Sequence, residues 1–241
     1  MTKALLSFDM AIDLDLPDLS TPSKRLWAKI AFVDGRFAAA FTAFFNHPRI
    51  RELHVDYLIL NHQIIRGTVP LMERALGEAK RRADADDVSR QLAPYFERHI
   101  VEELNHDEWL LDDLEIIGVP RSDVWARIPS PTVAEFVGSQ NYWALHVHPV
   151  AVLAYLSFME GFPPTPEIIG ELISRTGYPP EAFRTMVEHG ELDPEHSNEI
   201  KNMLDTLPIT DWHEELMGLA VISGLDLLAQ TIEEIIDRHK E

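Results

Sequence analysis

Apolar residues recur every three or four positions along almost the whole 241-residue sequence, and this periodicity leaves room for little but a helical fold. Few β-branched alternating runs occur, and no Asn-Gly or Asp-Gly hairpin turn joins two of them. Ser23 is placed to cap a first helix over 24–45, with Leu26, Ile30, Phe32, Phe37, Phe41 and Phe45 available for its apolar face. His47-Pro48 ends it. A second pattern runs over 50–82 with a kink expected at Pro70. A third starts near Asp87, bends around Pro94 and continues through Trp109 to Ile117, where Gly118 and Pro120 stop it. Thr132 and Glu135 have the spacing of a capping box for a fourth helix reaching Gly161. Shorter helices are expected at 167–176, 181–189, 194–206 and 211–240. Short proline-marked loops and the absence of repeats then predict an all-α, compact bundle forming one domain over 24–241, behind an N-terminal extension over 1–23.

Several function classes fall away. With no cysteine, the chain has no disulfide, thiolate metal site, iron–sulfur cluster or cysteine nucleophile. Forty acidic against 21 basic residues give a formal charge of −19, which repels nucleic-acid backbones and anionic lipid surfaces. No window reaches the roughly 18 to 20 apolar residues of a membrane span, and Asp9, Asp13, Asp15 and Asp18 break up the N-terminus where a secretion signal would need an apolar stretch. A cytoplasmic protein is expected.

The chemistry-bearing residues lie in three segments. In the third helix, Glu103 and His106 are three positions apart, so both project from one face and can share a metal. Glu102 reaches His106 at four positions, and either carboxylate can be the partner. Further along, His189, Asp193 and His196 line one side of any continuous helix through them. Gly190 and Pro194 speak against that continuity, and Asp193 before Pro194 has the form of an ordinary N-cap. The third segment is Glu160, which closes the apolar run from Val150 to Met159. A carboxylate on such a face is costly unless it is paired or bound to a cation. Imidazole and carboxylate donors without thiolate suit iron, manganese or zinc, and lean toward non-haem iron.

The order of these motifs resembles the haem-oxygenase-like di-iron oxidases and oxygenases, a family of seven- or eight-helix proteins. The resemblance covers about residues 24–238. It implies a two-iron site of Glu103, His106, Glu160, His189, Asp193 and His196, with Glu160 as a candidate bridge and manganese as the alternative metal. Some relatives carry their first carboxylate seven positions before the histidine, where this sequence has His99, so the match is to the Glu-x-x-His variety. The implied chemistry is reduction of O2 at two ferrous ions to a peroxo level, followed by attack on a bound small molecule. Members of such families oxygenate amines, decarboxylate fatty acids or fragment amino acids. Gln140 to Pro149 is a candidate pocket lining, while His54, His62, His146 and His148 read as core or surface histidines.

Other occupants of the fold fit less well. A thiamine-degrading hydrolase needs the cysteine this chain lacks, and haem oxygenase needs a histidine in a first helix that has none before Phe45. A cofactor-free oxidase of the same fold and a non-catalytic helical binding protein are the alternatives, and a homodimer accords with leftover apolar helix faces.

Overall fold

The computed structural model describes residues 18–240, and among these every regular element is a helix. The expected extension over 1–23 therefore lies almost wholly outside the described residues. In chain order the α-helices are α1 (Pro22–Val33), α2 (Gly35–Phe45), α3 (Ile50–Ile65), α4 (Thr68–Arg82), α5 (Asp87–Glu102) and α6 (His106–Ile116). Then come α7 (Arg121–Ala126), α8 (Pro131–Tyr142), α9 (Ala151–Met159), α10 (Pro166–Thr176), α11 (Arg184–Thr206) and α12 (Asp211–Arg238). One turn of π-helix, Trp143–Val147, follows α8, and a 3-10 turn, Pro180–Phe183, leads into α11.

The expected all-α bundle is present, with its long helices cut into more pieces than the periodicity announces. The first pattern divides at Asp34 and the second at Arg66-Gly67. Pro70 makes no kink because it falls in the first turn of α4, where the missing N–H has no intrahelical partner to lose. Thr21, not Ser23, caps α1, with its hydroxyl accepting from Lys24 N–H; Ser23 instead donates its N–H and hydroxyl to Asp205, at 2.8 and 2.9 Å, tying α1 to α11. Ser130 replaces Thr132 as the cap of α8, since Pro131 fits the first helical position and Thr132 turns to Glu234. The pattern over 132–161 breaks at the π-turn and Pro149. The two helices expected at 181–189 and 194–206 are one, running unbroken through Pro194.

Helix α9 is the centre of the body. Every residue from Ala151 to Phe158 is buried, as a helix apolar on all sides must be. It packs on α12, whose own buried stripe also covers α1, α2 and α8. The approach is close, because a Cβ at Gly224 of α12 would stand 2.7 Å from the Phe158 ring. Burial of side chains such as Leu153, Leu156 and Phe44, each fully enclosed, contributes about 2 kcal/mol apiece. That apolar centre tolerates the charged groups collected at one end of α9. No helix among the described residues is long and apolar enough to cross a membrane.

Candidate metal centre

Four helix segments meet where α9 ends. Glu160 is the C-cap residue of α9, and Gly161 follows because a Cβ there would collide with the Ser157 carbonyl at 2.1 Å. Beside it, the third helix breaks at the metal-ligand candidates and not at Pro94. Glu103 closes α5, Asn105 adopts a left-handed conformation with φ 70°, and His106 opens α6. Glu103 and His106 thus meet across a helix break and not along one helical face, with His106 Nδ1 3.2 Å from Glu103 Oε2. The middle of α11 completes the enclosure with His189, Asp193 and His196. Asp193 is an interior helical residue and no N-cap; Pro194 withholds an N–H from the Gly190 carbonyl without ending the helix. Glycine at 190 is required by the passing chain, since a Cβ would approach Pro164 O to 2.8 Å.

All six residues singled out from the sequence lie around this one cluster, and two more join it. His99, one turn before Glu103, places Nε2 3.2 Å from Glu160 Oε1 and Nδ1 3.3 Å from Glu102 Oε2. His196 faces the carboxylates, with Nδ1 3.5 Å from Glu103 and 3.7 Å from Glu160, and Nε2 3.9 Å from Glu102. The His106 and His189 rings meet edge to face at 5.0 Å, and Trp109 stacks on His106 at 4.0 Å. Within this cluster three sets can each converge on a cation, with donor atoms within 4.8 Å of one another: Glu103, His106 and His189; His99, Glu103 and Glu160; and His99, Glu102 and His196. Glu103 belongs to two of the three.

The electrostatics are those of a site short of positive charge. Burial, then the charges of Glu160 and Glu103, push the Asp193 carboxyl up to about 8. Burial likewise raises Glu160, against the pull of its hydrogen bond to His99. Burial opposes charge on His99, but Glu160, Glu103 and Glu102 overcome it and raise the imidazole to about 9. Burial lowers His189, whose Nδ1–H donates to the Thr185 carbonyl at 2.8 Å and leaves the Nε2 lone pair free. Thr185 is held in turn by its N–H donating to Asp113 Oδ2 at 3.0 Å.

A family model described as iron-containing redox enzyme matches residues 95–220, which is 126 of the 241 residues. The chain belongs to that family. The matched span takes in the second half of α5 and the whole of α6, α9 and α11, and with them every residue of the cluster. Two solved structures share the family's haem-oxygenase-like fold. One is a domain of unknown function with a heme oxygenase-like fold from Shewanella denitrificans OS217, 16% identical over 90% of each chain, with a TM-score of 0.71. The other is a TenA homolog from Pseudomonas syringae pv. tomato DC3000, 14% identical, covering 90% of this chain and 93% of that one, with a TM-score of 0.66. No curated protein matches.

The residues present fit an iron site. Among the described residues, Glu103 Oε1, His106 Nδ1, Glu160 Oε2, Asp193 Oδ1 and His196 Nδ1 are buried without a hydrogen-bond partner. Leaving one such atom without a hydrogen bond costs about 1–3 kcal/mol, so five in one cluster call for a shared countercharge. A cation supplies it, and the imidazole and carboxylate donors suit iron. Sequence reasoning set His99 aside because it stands where some relatives carry a carboxylate, and kept Glu102 only as a substitute for Glu103. The available signal was the His99-x-x-Glu102 spacing, which repeats the three-residue offset used for Glu103 and His106.

A cavity of about 220 Å³ opens onto the cluster at Glu103, Glu160, His189 and Asp193. Its other walls are mostly aliphatic and aromatic, including Ile30, Phe37, Phe41, Ile64, Phe158 and Leu228, and no Lys or Arg lines it. The expected lining from Gln140 to Pro149 lies elsewhere: this stretch forms the end of α8, the π-turn and the link into α9, at the end of α9 remote from Glu160.

Proposed function

We propose that the protein is an O2-activating non-haem di-iron oxidase or oxygenase that acts on a small molecule with an apolar chain. The observation that carries this reading is a buried, partner-starved cluster of imidazoles and carboxylates opening into an apolar cavity. Glu103, His106 and His189 would hold one iron; His99, Glu160 and His196 would hold the other. Glu103, common to two of the donor sets, and Glu160 would be the carboxylates shared between the irons, and Asp193 and Glu102 would complete the set. Bound iron would supply the electrons that reduce O2, and the chain's own contribution is geometry and exclusion of water. Thr185 fixes the tautomer of His189 through its carbonyl, and the apolar walls keep water from the reacting atoms.

The cavity favours a fatty-acid-like over an amino-acid-like substrate. An amino acid's carboxylate would meet the metals as a fatty acid's does, but a short side chain would leave the aliphatic and aromatic walls unfilled. An alkyl chain gains about 0.8 kcal/mol per methylene buried there, and its carboxylate would meet the metals. Anaerobic loading with ferrous iron, iron counting, and exposure to O2 test the reading. Two irons per chain and an absorption change on O2, accelerated by a medium-chain fatty acid and not by amino acids, are expected. Oxidation of an organic substrate by protein without metal would replace this reading with the cofactor-free oxidase.

A further inference from the structure

Tyr95 lies one turn before His99 on α5, and its ring stacks on that imidazole with centroids 5.3 Å apart and planes 15° from parallel. It is only 1% exposed, and its hydroxyl has no hydrogen-bond partner among the described residues. The other buried tyrosine treats its hydroxyl differently: Tyr155 is paired with Thr68 at 2.8 Å. An orphaned buried hydroxyl costs about 1–3 kcal/mol. Phenylalanine would avoid that cost, and the neighbouring Phe96, fully buried, shows that this part of α5 accepts one. Packing alone therefore gives no reason for the oxygen at position 95.

Its surroundings suggest one. Its ring lies against one of the imidazoles that would hold iron, and its hydroxyl is enclosed there without a hydrogen bond. A phenol so placed can give up an electron together with its proton. We propose that Tyr95 is a one-electron donor to the metal centre, using the stacked His99 ring as its contact. In this step the phenol O–H bond breaks and the electron passes to iron that O2 has oxidised. The proton goes to Glu199, whose Oε2 is buried and likewise without a hydrogen bond, leaving a neutral tyrosyl radical and a neutral carboxyl. An external one-electron reductant such as ascorbate restores the phenol by returning an electron and a proton. The step operates when the cavity holds no substrate to be oxidised. It rests on the proposed function, since it requires iron and O2.

The test is freeze-quenched electron paramagnetic resonance on protein loaded with ferrous iron and mixed with O2 in the absence of substrate, beside Mössbauer spectra of the same samples. The unaltered protein is expected to give an organic radical whose hyperfine splitting narrows when its tyrosine rings are deuterated, and whose relaxation is quickened by neighbouring iron. Tyr95→Phe is expected to take up and oxidise the same iron and lose the radical entirely, while its metal-free form melts at an equal or higher temperature. No radical in the unaltered protein despite full iron oxidation overturns the inference and leaves the proposed function standing. So does the same radical in Tyr95→Phe. Iron that O2 fails to oxidise sinks the di-iron reading, and the inference with it. Should Tyr95→Phe fold poorly, deuteration and relaxation of the unaltered protein's signal still decide whether a tyrosine beside the iron is oxidised.

Discussion

Among the described residues two groups of histidines and carboxylates come together, and one of them has the chemistry of a metal site. At the far end of α9, Asp86, His148 and His213 also bring donor atoms within 4.8 Å of one another. There, however, His148 Nδ1 accepts the Val150 N–H at 3.1 Å, and His213 Nδ1 accepts the Thr210 N–H at 3.1 Å. Each neutral ring then carries its hydrogen on Nε2, and His148 spends it on Asp86 at 2.7 Å. Asp86 meanwhile accepts from the N–H groups of Val88 and Ser89, capping α5. The lone pairs are used up by backbone. In the cluster around Glu103 the pattern is reversed: His189 gives its Nδ1–H to Thr185, and five buried polar atoms have no hydrogen-bond partner among the described residues. Proximity alone does not separate the two groups; the destination of each ring hydrogen does.

The largest effect that can break this contrast is on iron content. His189→Ala together with His196→Ala is expected to abolish iron binding, measured as metal per chain after ferrous loading and desalting. His148→Ala with His213→Ala is expected to leave iron content unchanged and lower the melting temperature, because a half-buried hydrogen-bonded carboxylate and a helix cap lose their partners at about 1 kcal/mol. Equal iron in all three proteins would erase the distinction.

A second measurement sharpens it. Asp193, held to about 8, is protonated at neutral pH in the metal-free protein and must release its proton to serve as a ligand. Binding of a divalent ion is therefore expected to release protons and to tighten as pH rises toward 8. Calorimetric titration at one pH in two buffers of different ionisation heat counts the protons released. His99, raised to about 9, must shed one as well, so Asp193→Asn is expected to lower the count, and an unchanged count would remove Asp193 from the ligand set. The folded-state value lies above the ordinary 3.8, so the proton-bound state is the one folding favours. Stability of the metal-free protein from this group is full below about pH 4 and is lost as pH rises toward 8.

Much of this was legible in the sequence, and the part that was not follows from physics that acts at a distance along the chain. Glu103, His106, Glu160, His189, Asp193 and His196 carry their spacing in plain view, and the folded chain gathers them. The break at Asn105 was hidden because Leu104 and Asn105 interrupt no apolar period, so the pattern runs through a helix end that only φ reveals. The continuity of α11 was hidden for the opposite reason. Gly190 and Pro194 are local breakers, overruled by packing against α6, α9 and the Pro164 carbonyl. His99 carried a signal in its three-residue offset from Glu102, but its contact with Glu160, 61 residues away, is made only when the end of α9 comes beside α5.

A third histidine bounds the contrast from outside. His54 is fully buried, has no partner on either ring nitrogen, and stacks on Phe183 at 4.9 Å with no carboxylate to share its proton. Burial pushes it down to about 4. Its folded value lies below the unfolded 6.5, so its contribution is complete above pH 6.5 and is lost as pH falls toward 4, amounting to about 3 kcal/mol. His54→Phe is expected to keep the stack and flatten acid unfolding across that window, followed by denaturant melts at pH 7 and pH 4. An unchanged acid slope would show that the acid sensitivity arises elsewhere, in the two histidine clusters.

The smallest effect concerns the hinge between α5 and α6. Among the described residues Asn105 is the one non-glycine with positive φ, at 70°, and it stands between Glu103 and His106. The left-handed region costs an ordinary side chain roughly 1–2 kcal/mol, less for Asn. Asn105→Gly is therefore expected to raise the metal-free protein's stability by a few tenths of a kcal/mol, and Asn105→Ala to lower it by about 1 kcal/mol. Metal affinity discriminates further. If the turn's shape positions Glu103 against His106, the alanine variant loses affinity along with stability, because relief of its strain pulls the two ligands apart. If stability falls and affinity does not, the left-handed turn is only a connector, and the convergence of the ligands is held by α9 and α11.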